Sequence, residues 1–210
     1  MLFVLNIARF LVWPPMWILS DNNPQATSFM EYREKQWRRA GREVTVKWDW
    51  KELDQISPHL RQAVVVSEDS TFWSHDGFDW EGIRVAFNRN MAEGRLSAGG
   101  STISQQLAKN LYFSPEKSMV RKAQEAIVTW RMERSLEKKR ILEIYLNVVE
   151  WGEGIYGAEA AARHYFKTSA AKLSRRQAAT LAAMLPNPHH RQPGSRRVKT
   201  VTNIILKRMR

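Results

Sequence analysis

Between Ser57 and Pro186, apolar residues recur at helical spacing behind residues that cap helices, and no other feature constrains the fold of this chain as strongly. Ser57-Pro58 sets a capping hydroxyl before a proline at the first helical position, with Leu60, Ala63, Val64 and Ser67 on one face. Asp79-Trp80-Glu81 opens a second helix with Ile83, Ala86 and Phe87 inward, and Gly99-Gly100-Ser101 opens a third, Ser101 being the candidate cap. Ser114-Pro115-Glu116 starts another, after which Met119, Val120, Ala123, Ile127 and Trp130 recur. Ile141, Leu142, Tyr145, Leu146 and Val149 mark the next. Ser174 and Gln177 form a capping box before AATLAAML, and Pro186 stops that helix. Strand signals are few, with Thr45 to Trp48 a short candidate. The pattern predicts a mainly α domain.

The N-terminus bears on location. MLFVLNIARFLVWPPMWIL is apolar over residues 1–19, close to the roughly 20 residues that a spanning helix needs. Asn6, Arg9 and Pro14-Pro15 interrupt it, while Trp13 and Trp17 suit a membrane–water interface. It has neither the basic start nor the small-residue cleavage site of a signal peptide. Residues 1–19 are therefore expected to be a membrane anchor, residues 20–50 a polar stalk, and residues 51–210 the globular domain, ending in a basic tail.

Thirty-three Lys and Arg against 21 Asp and Glu give a net charge of +12, which favours an acidic partner: nucleic acid, an anionic membrane surface or a phosphorylated substrate. Cysteine is absent, which excludes a disulfide framework, Cys-ligated zinc and a thiol nucleophile. No nucleic-acid-binding motif occurs, and no Gly-x-Ser-x-Gly elbow supports a serine nucleophile. No metal-ligand set stands out, and His189-His190 reads as a solvated pair in a Pro-rich loop.

Four segments combine reactive residue types. In EDSTFWSHDG, Glu68 and Asp69 follow the buried run AVVV, and a carboxylate at the end of a buried helix can gain proton affinity by desolvation. In GGSTISQQLAKN, winding the helix puts Ser101, Thr102, Gln105, Gln106, Lys109 and Asn110 on one half, and Ile103, Leu107 and Leu111 on the other. That polar half carries donors and one cation, and no Asp or Glu occurs from Arg95 to Pro115, so it suits the phosphates or hydroxyls of a ligand. In RKAQE, Glu125 stands one turn beyond Arg121 and Lys122, as a simple ion pair or as a second carboxylate flanked by cations. KKRILEIYLN, which ends at Asn147, reads as an amphipathic helix used mainly for packing.

Taken together, these segments resemble the motifs of the peptidoglycan glycosyltransferases of family 51, in order, over roughly residues 55–190. EDSTFWSHDG is similar to the first motif, GGSTISQQLAKN to the second, RKAQE to the third, KKRILEIYLNVVEWG to the fourth, and AAARHYF with Lys167 to the fifth. The closest likeness is to the monofunctional, membrane-anchored members. The resemblance implies a bilobal, lysozyme-like, mostly helical domain that polymerises lipid II on the outer face of the cytoplasmic (inner) membrane. It implies Glu68 as the general base and Glu125 as a second essential carboxylate assisting departure of the pyrophosphate. Asp69, Phe72, His75, Ser101, Thr102, Gln105, Gln106, Lys109, Asn110, Lys117, Arg121, Lys122 and Asn147 are implied as substrate-binding. Lys117 stands where many relatives carry arginine, keeping the charge but losing the bidentate fork.

The implied partners are lipid II, the growing glycan strand, the cell membrane and cell-wall synthesis or division proteins, with no nucleic acid. No cofactor is required, although a divalent cation bridging the pyrophosphate to Glu125 is compatible with the chemistry. Two rivals remain: a lysozyme-like glycan-cleaving enzyme, which would need its Glu protonated, and a basic membrane-associated scaffold.

Overall fold

The computed structural model describes residues 6–93, 100–116 and 118–209, and the chain is mainly helical, as its capping pattern predicts. The helices are α1 (Ser28–Arg39), α2 (Pro58–Glu68), α3 (Trp80–Glu93), α4 (Ile103–Tyr112) and α5 (Met119–Ser135). They continue with α6 (Lys138–Val148), α7 (Gly157–Phe166), α8 (Arg175–Met184) and α9 (Arg196–Arg208). Strands β1 (Lys47–Trp48), β2 (Glu150–Gly152) and β3 (Ile155–Tyr156) make a small sheet in the order β1-β3-β2. In it β1 runs parallel and β2 antiparallel to β3.

Helices α2, α4 and α8 of the core begin where the sequence supplies a side-chain cap. Ser57 accepts from the His59 amide ahead of α2, and Ser174 with Gln177 closes a capping box on α8. Two starts differ from expectation. The cap of α4 is Thr102 rather than Ser101, because Thr102 and Gln105 satisfy each other's backbone N–H groups in a capping box. Helix α5 starts at Ser118, whose hydroxyl accepts from the Arg121 amide, and not at Ser114-Pro115. The expected inward side chain of Phe87 lies outside the described residues.

The main core cluster lies around α2, α4, α6 and α8, including Leu60, Val64, Ile103, Leu107, Ile141 and Leu181. Helix α2 packs on α8 and α9, while α4 packs on α5, α6 and α1. These contacts hold the C-terminal end of α2 beside the first turn of α4, which is where the site forms. The basic tail is likewise structured: α9 buries Val198, Thr202 and Ile205 and turns its cations outward.

The first fifty residues correct two expectations. Residues 6–19 do not form one continuous helix, because Pro14 and Pro15 lack the N–H groups that would carry the ladder onward. A short helix ends at Leu11, and a single turn follows at Ile18–Asp21. Among the described residues, no helix is long and apolar enough to cross a membrane. The segment instead straps across α5 and α6. Gln124 donates to the Asn6 side chain at 2.6 Å, Arg131 to the Phe10 and Val12 carbonyls at 3.0 Å each, and Arg140 to the Leu19 carbonyl at 2.7 Å. Phe10, Met16 and Leu19 are buried, whereas Leu11, Val12, Trp13, Trp17 and Ile18 are exposed.

Residues 20–50, expected as a stalk, are built into the domain. Met30 and Trp37 of α1 cluster with Tyr156, and β1 pairs with β3. Asn147 then staples this segment to α6. Its amide donates to the Lys51 and Glu143 carbonyls and accepts from the Lys51 amide, each at 2.8 Å, and its own carbonyl accepts from the Trp48 indole. Gly157 is required at the same junction: its φ is +81°, and a Cβ there would stand 2.6 Å from the Asn147 carbonyl oxygen.

Candidate active site

Glu68 is the last residue of α2, and the helix ends because Asp69 turns away with φ −162°. The Asp69 carboxylate accepts from the Ile103 amide at 2.9 Å and pairs with His75 Nε2 at 3.0 Å. His75 Nδ1 in turn accepts from the Gly77 amide, and the Thr102 hydroxyl donates to the Gly77 carbonyl at 2.7 Å. The first and second motifs are thereby locked together, with Glu68 facing Gln106 across the joint. This clamp occupies the polar atoms of Asp69, His75 and Thr102. Phe72 is fully buried in the core beneath it, and Asn147 is sealed in its staple. These five residues therefore build and brace the walls of the site, with Asp69 and Thr102 lining the hollow that holds Glu68.

Gln106 Nε2 donates to the Glu68 carboxylate at 3.1 Å, while its amide oxygen accepts from the Tyr145 hydroxyl at 2.9 Å. Burial first, and then Glu68 and Asp69, push the Tyr145 phenol well above its ordinary value, so the hydroxyl keeps its proton and stays a donor. That bond fixes which face of the Gln106 amide meets Glu68. Burial likewise raises the proton affinity of Glu68, opposed by the Gln106 bond and by the positive charge of Arg191. The result is a carboxylate more basic than one in water.

Beyond Gln106, the third motif supplies the second carboxylate. Glu125 is buried on α5, with one oxygen 2.8 Å from the Arg121 guanidinium and the other bonded to the Lys122 ammonium. Lys122 also reaches Ser101 Oγ at 3.5 Å. Lys109 faces the same pocket, where burial and the neighbouring Arg121 and Lys122 lower its proton affinity and Glu125 partly restores it. Three cations around one carboxylate leave this pocket, of about 90 Å³, with surplus positive charge. A second hollow of about 160 Å³, holding Glu68, adjoins it through the shared Ser101.

Of the remaining expected residues, Gln105 lines the cationic pocket while its side-chain oxygen accepts from the Thr102 amide in the capping box, and Asn110 is buried on the same helix. Lys117 lies outside the described residues. The polar half of α4 thus faces inward, and Gln106 and Lys109 line the cleft. A larger hollow of about 1100 Å³, flanked by Arg61, Trp73 and Glu143, contains neither Glu68 nor Glu125. His189, expected to be solvated, sits 3.2 Å from the buried Glu150 and 3.1 Å from Arg33, outside the cleft. Among the described residues, no group of three His, Cys, Asp or Glu side chains is placed to hold a metal ion.

Two participants escaped the sequence reading. Tyr145 has the spacing of a packing residue, and Arg191 sits in a Pro-rich loop far from any motif. Arg191 anchors to the Ala183 carbonyl at 2.9 Å and acts on Glu68 through charge. Replacing it with Gln should raise the Glu68 pKa further, because a positive charge favouring the ionised form is lost. The acid limb of the kcat/KM profile should then move to higher pH at low salt, with Arg191→Lys restoring it. An unmoved limb would show that Arg191 does not tune Glu68.

A carboxylate made more basic by burial, beside a pocket with surplus positive charge, suits a transferase whose leaving group is anionic. The comparisons with known proteins agree. The Transglycosylase family model matches residues 35–210. A biosynthetic peptidoglycan transglycosylase of Chromobacterium violaceum is 48% identical over 97% of this chain and 92% of its own. One of Dechloromonas aromatica is 49% identical over 97% of this chain and 91% of its own, and one of Alcanivorax borkumensis is 56% identical over 81% and 67%. The chain belongs to the transglycosylase family.

Proposed function

We propose that this chain is a peptidoglycan glycosyltransferase that polymerises lipid II into glycan strands, releasing undecaprenyl pyrophosphate. The observation that carries this reading is the pairing of Glu68, desolvated and oriented by Gln106, with the adjoining surplus-cation pocket of Lys109, Arg121 and Lys122. Glu68 takes the proton from the acceptor sugar's 4-hydroxyl as the oxygen attacks the anomeric carbon of the growing chain. The carbon–oxygen bond to the pyrophosphate breaks on the opposite face, giving inversion. The departing charge develops where fixed cations already stand, so little reorganisation accompanies the step. Glu125 holds Arg121 and Lys122 in place for it. A glycan-cleaving enzyme has a neutral leaving group and no use for that charge. Supplying lipid II in detergent tests the reading: chain growth with release of undecaprenyl pyrophosphate is expected, and shortening of preformed glycan without polymer would overturn it.

The N-terminal strap is the membrane contact in this proposal, seating the catalytic domain on the outer side of the cytoplasmic membrane, with residues 1–5 continuing the apolar run. Leu11, Val12, Trp13, Trp17 and Ile18 present an exposed apolar band, and indoles favour the headgroup region. Because Trp13 and Trp17 are more than half exposed, replacing both with Ser should leave the fold intact. Inserting one large apolar side chain contributes about 1.5–3 kcal/mol, so vesicle binding should fall at least about tenfold. Unchanged binding in a vesicle flotation assay would exclude the strap as a contact.

A further inference from the structure

The Glu68 hollow contains a cation that belongs to none of the five motifs. Its walls carry the carboxylates of Glu68, Asp69 and Asp79, with Ser101 on one side and Arg208 of α9 on another. Two of those carboxylates are spent internally. Asp69 is held by His75 and the Ile103 amide, and Asp79 accepts from the Thr71 hydroxyl at 3.0 Å and the Gly82 amide at 2.8 Å. Arg208 makes no hydrogen bond or ion pair with any described residue, and its side chain is exposed. Its backbone is nonetheless fixed. Arg175 donates to the Leu206 carbonyl at 3.1 Å and to the Met209 carbonyl, and Ile205 and Met209 are buried on either side. The chain therefore holds a guanidinium with no partner among the described residues at the rim of the hollow where the base works, on a wall separate from the Lys109, Arg121 and Lys122 pocket.

The proposed reaction joins two substrates that both carry a pyrophosphate. The donor's departs, and its charge meets the three motif cations. The acceptor keeps its own, and must hold that charge clear of the donor's while its hydroxyl reaches Glu68. We propose that Arg208 binds the pyrophosphate of the acceptor and so orients the incoming hydroxyl toward Glu68; this rests on the polymerase reading above. A guanidinium suits the task because its fork grips two phosphate oxygens at once.

The experiment separates the two substrates. The donor is a lipid-linked glycan whose terminal 4-hydroxyl is blocked, so that it cannot accept, and the acceptor is a short-chain lipid II analogue. Loss of a charge-assisted contact should raise the acceptor KM of Arg208→Gln about ten- to a hundredfold, with the donor KM unchanged. Arg208→Lys should fall between, retaining charge without the fork. With an acceptor whose pyrophosphate is replaced by an uncharged group, wild type and Arg208→Gln should become equal. An unchanged acceptor KM, an equal rise in donor KM, or a penalty that persists with the uncharged acceptor would each overturn the assignment. If Arg208→Gln melts early, the Lys variant with the two acceptors gives the same comparison in a folded protein. Failure of the wild type to consume the donor would instead refute the polymerase reading, so the two failures are distinguishable.

Discussion

Glu68→Gln is expected to abolish polymerisation and, at the same time, to raise the melting temperature at neutral pH. Loss of a positioned general base costs roughly a hundredfold to ten-thousandfold in rate. The stability gain follows from the same burial that makes the base useful. Protein around Glu68 raises its folded-state pKa above the unfolded one. A carboxyl shifted in that direction contributes stability that is present below its unfolded pKa and is lost as pH rises through its folded pKa. To act as the base, wild type must hold an ionised carboxylate in surroundings that disfavour it, whereas the Gln variant holds a neutral amide. The oxygen of that amide can still accept from Gln106. For a domain of this size each kcal/mol gained raises the melting temperature by roughly 2–4 °C. The difference between variant and wild type should shrink on acidification, as Glu68 becomes neutral in both states. A melting curve unchanged at neutral pH would mean that Glu68 is solvated; near-wild-type polymerisation would mean that another group is the base.

The second large effect is expected at Glu125, and its sign in stability is opposite. Glu125 is buried and joined to Arg121 and Lys122. Glu125→Gln leaves those cations and Lys109 in one pocket with no carboxylate among its lining residues. Removing one partner of a buried ion pair costs roughly 3–5 kcal/mol, and the half-exposed Lys122 side chain places this case at the low end. Polymerisation should fall about a hundredfold or more, because cations that are no longer held lose their preorganisation for the departing charge. The comparison discriminates between roles. If Glu125 only held the fold, raising the assay temperature toward the variant's melting point would account for the whole loss. If it positions Arg121 and Lys122, the loss persists far below that temperature, and added inorganic pyrophosphate should inhibit the variant less than wild type. Full activity at low temperature would remove Glu125 from the site.

These two carboxylates were legible in the sequence because each sits in a short segment whose own chemistry is distinctive. Glu68 follows an apolar run, and Glu125 follows two cations by one turn. The cap of α8 was legible for the same reason, since Ser174 and Gln177 act within one turn. The errors also have physical causes. Ser101 and Thr102 are both competent caps, and Thr102 takes the position because its hydroxyl also reaches the Gly77 carbonyl. The resemblance implies Asn147 as a substrate contact, and in the structure its partners are Lys51 and Glu143, which close the fold. A tract as polar as residues 20–50 reads as a stalk until Tyr156 and β3 supply surfaces for α1 and β1 to cover.

The sequence by itself determined the helical class, the starts of α2, α3 and α8 and the inward-facing polar half of α4, and it singled out the two carboxylates and the cations of RKAQE. All of these depend on residues within a turn or two of one another, where helical geometry alone fixes the neighbours. Only the tertiary structure decided that Tyr145 orients Gln106, that Arg191 stands close enough to act on Glu68, and that Arg208 stands at the rim of the same hollow with no partner among the described residues. Tyr145 lies 39 residues from Gln106 in the chain, and Arg191 and Arg208 come from elements far beyond either carboxylate. No local pattern can encode such meetings. They arise because α6 packs on α4, and α8 and α9 pack on α2, as their apolar faces are buried against one another.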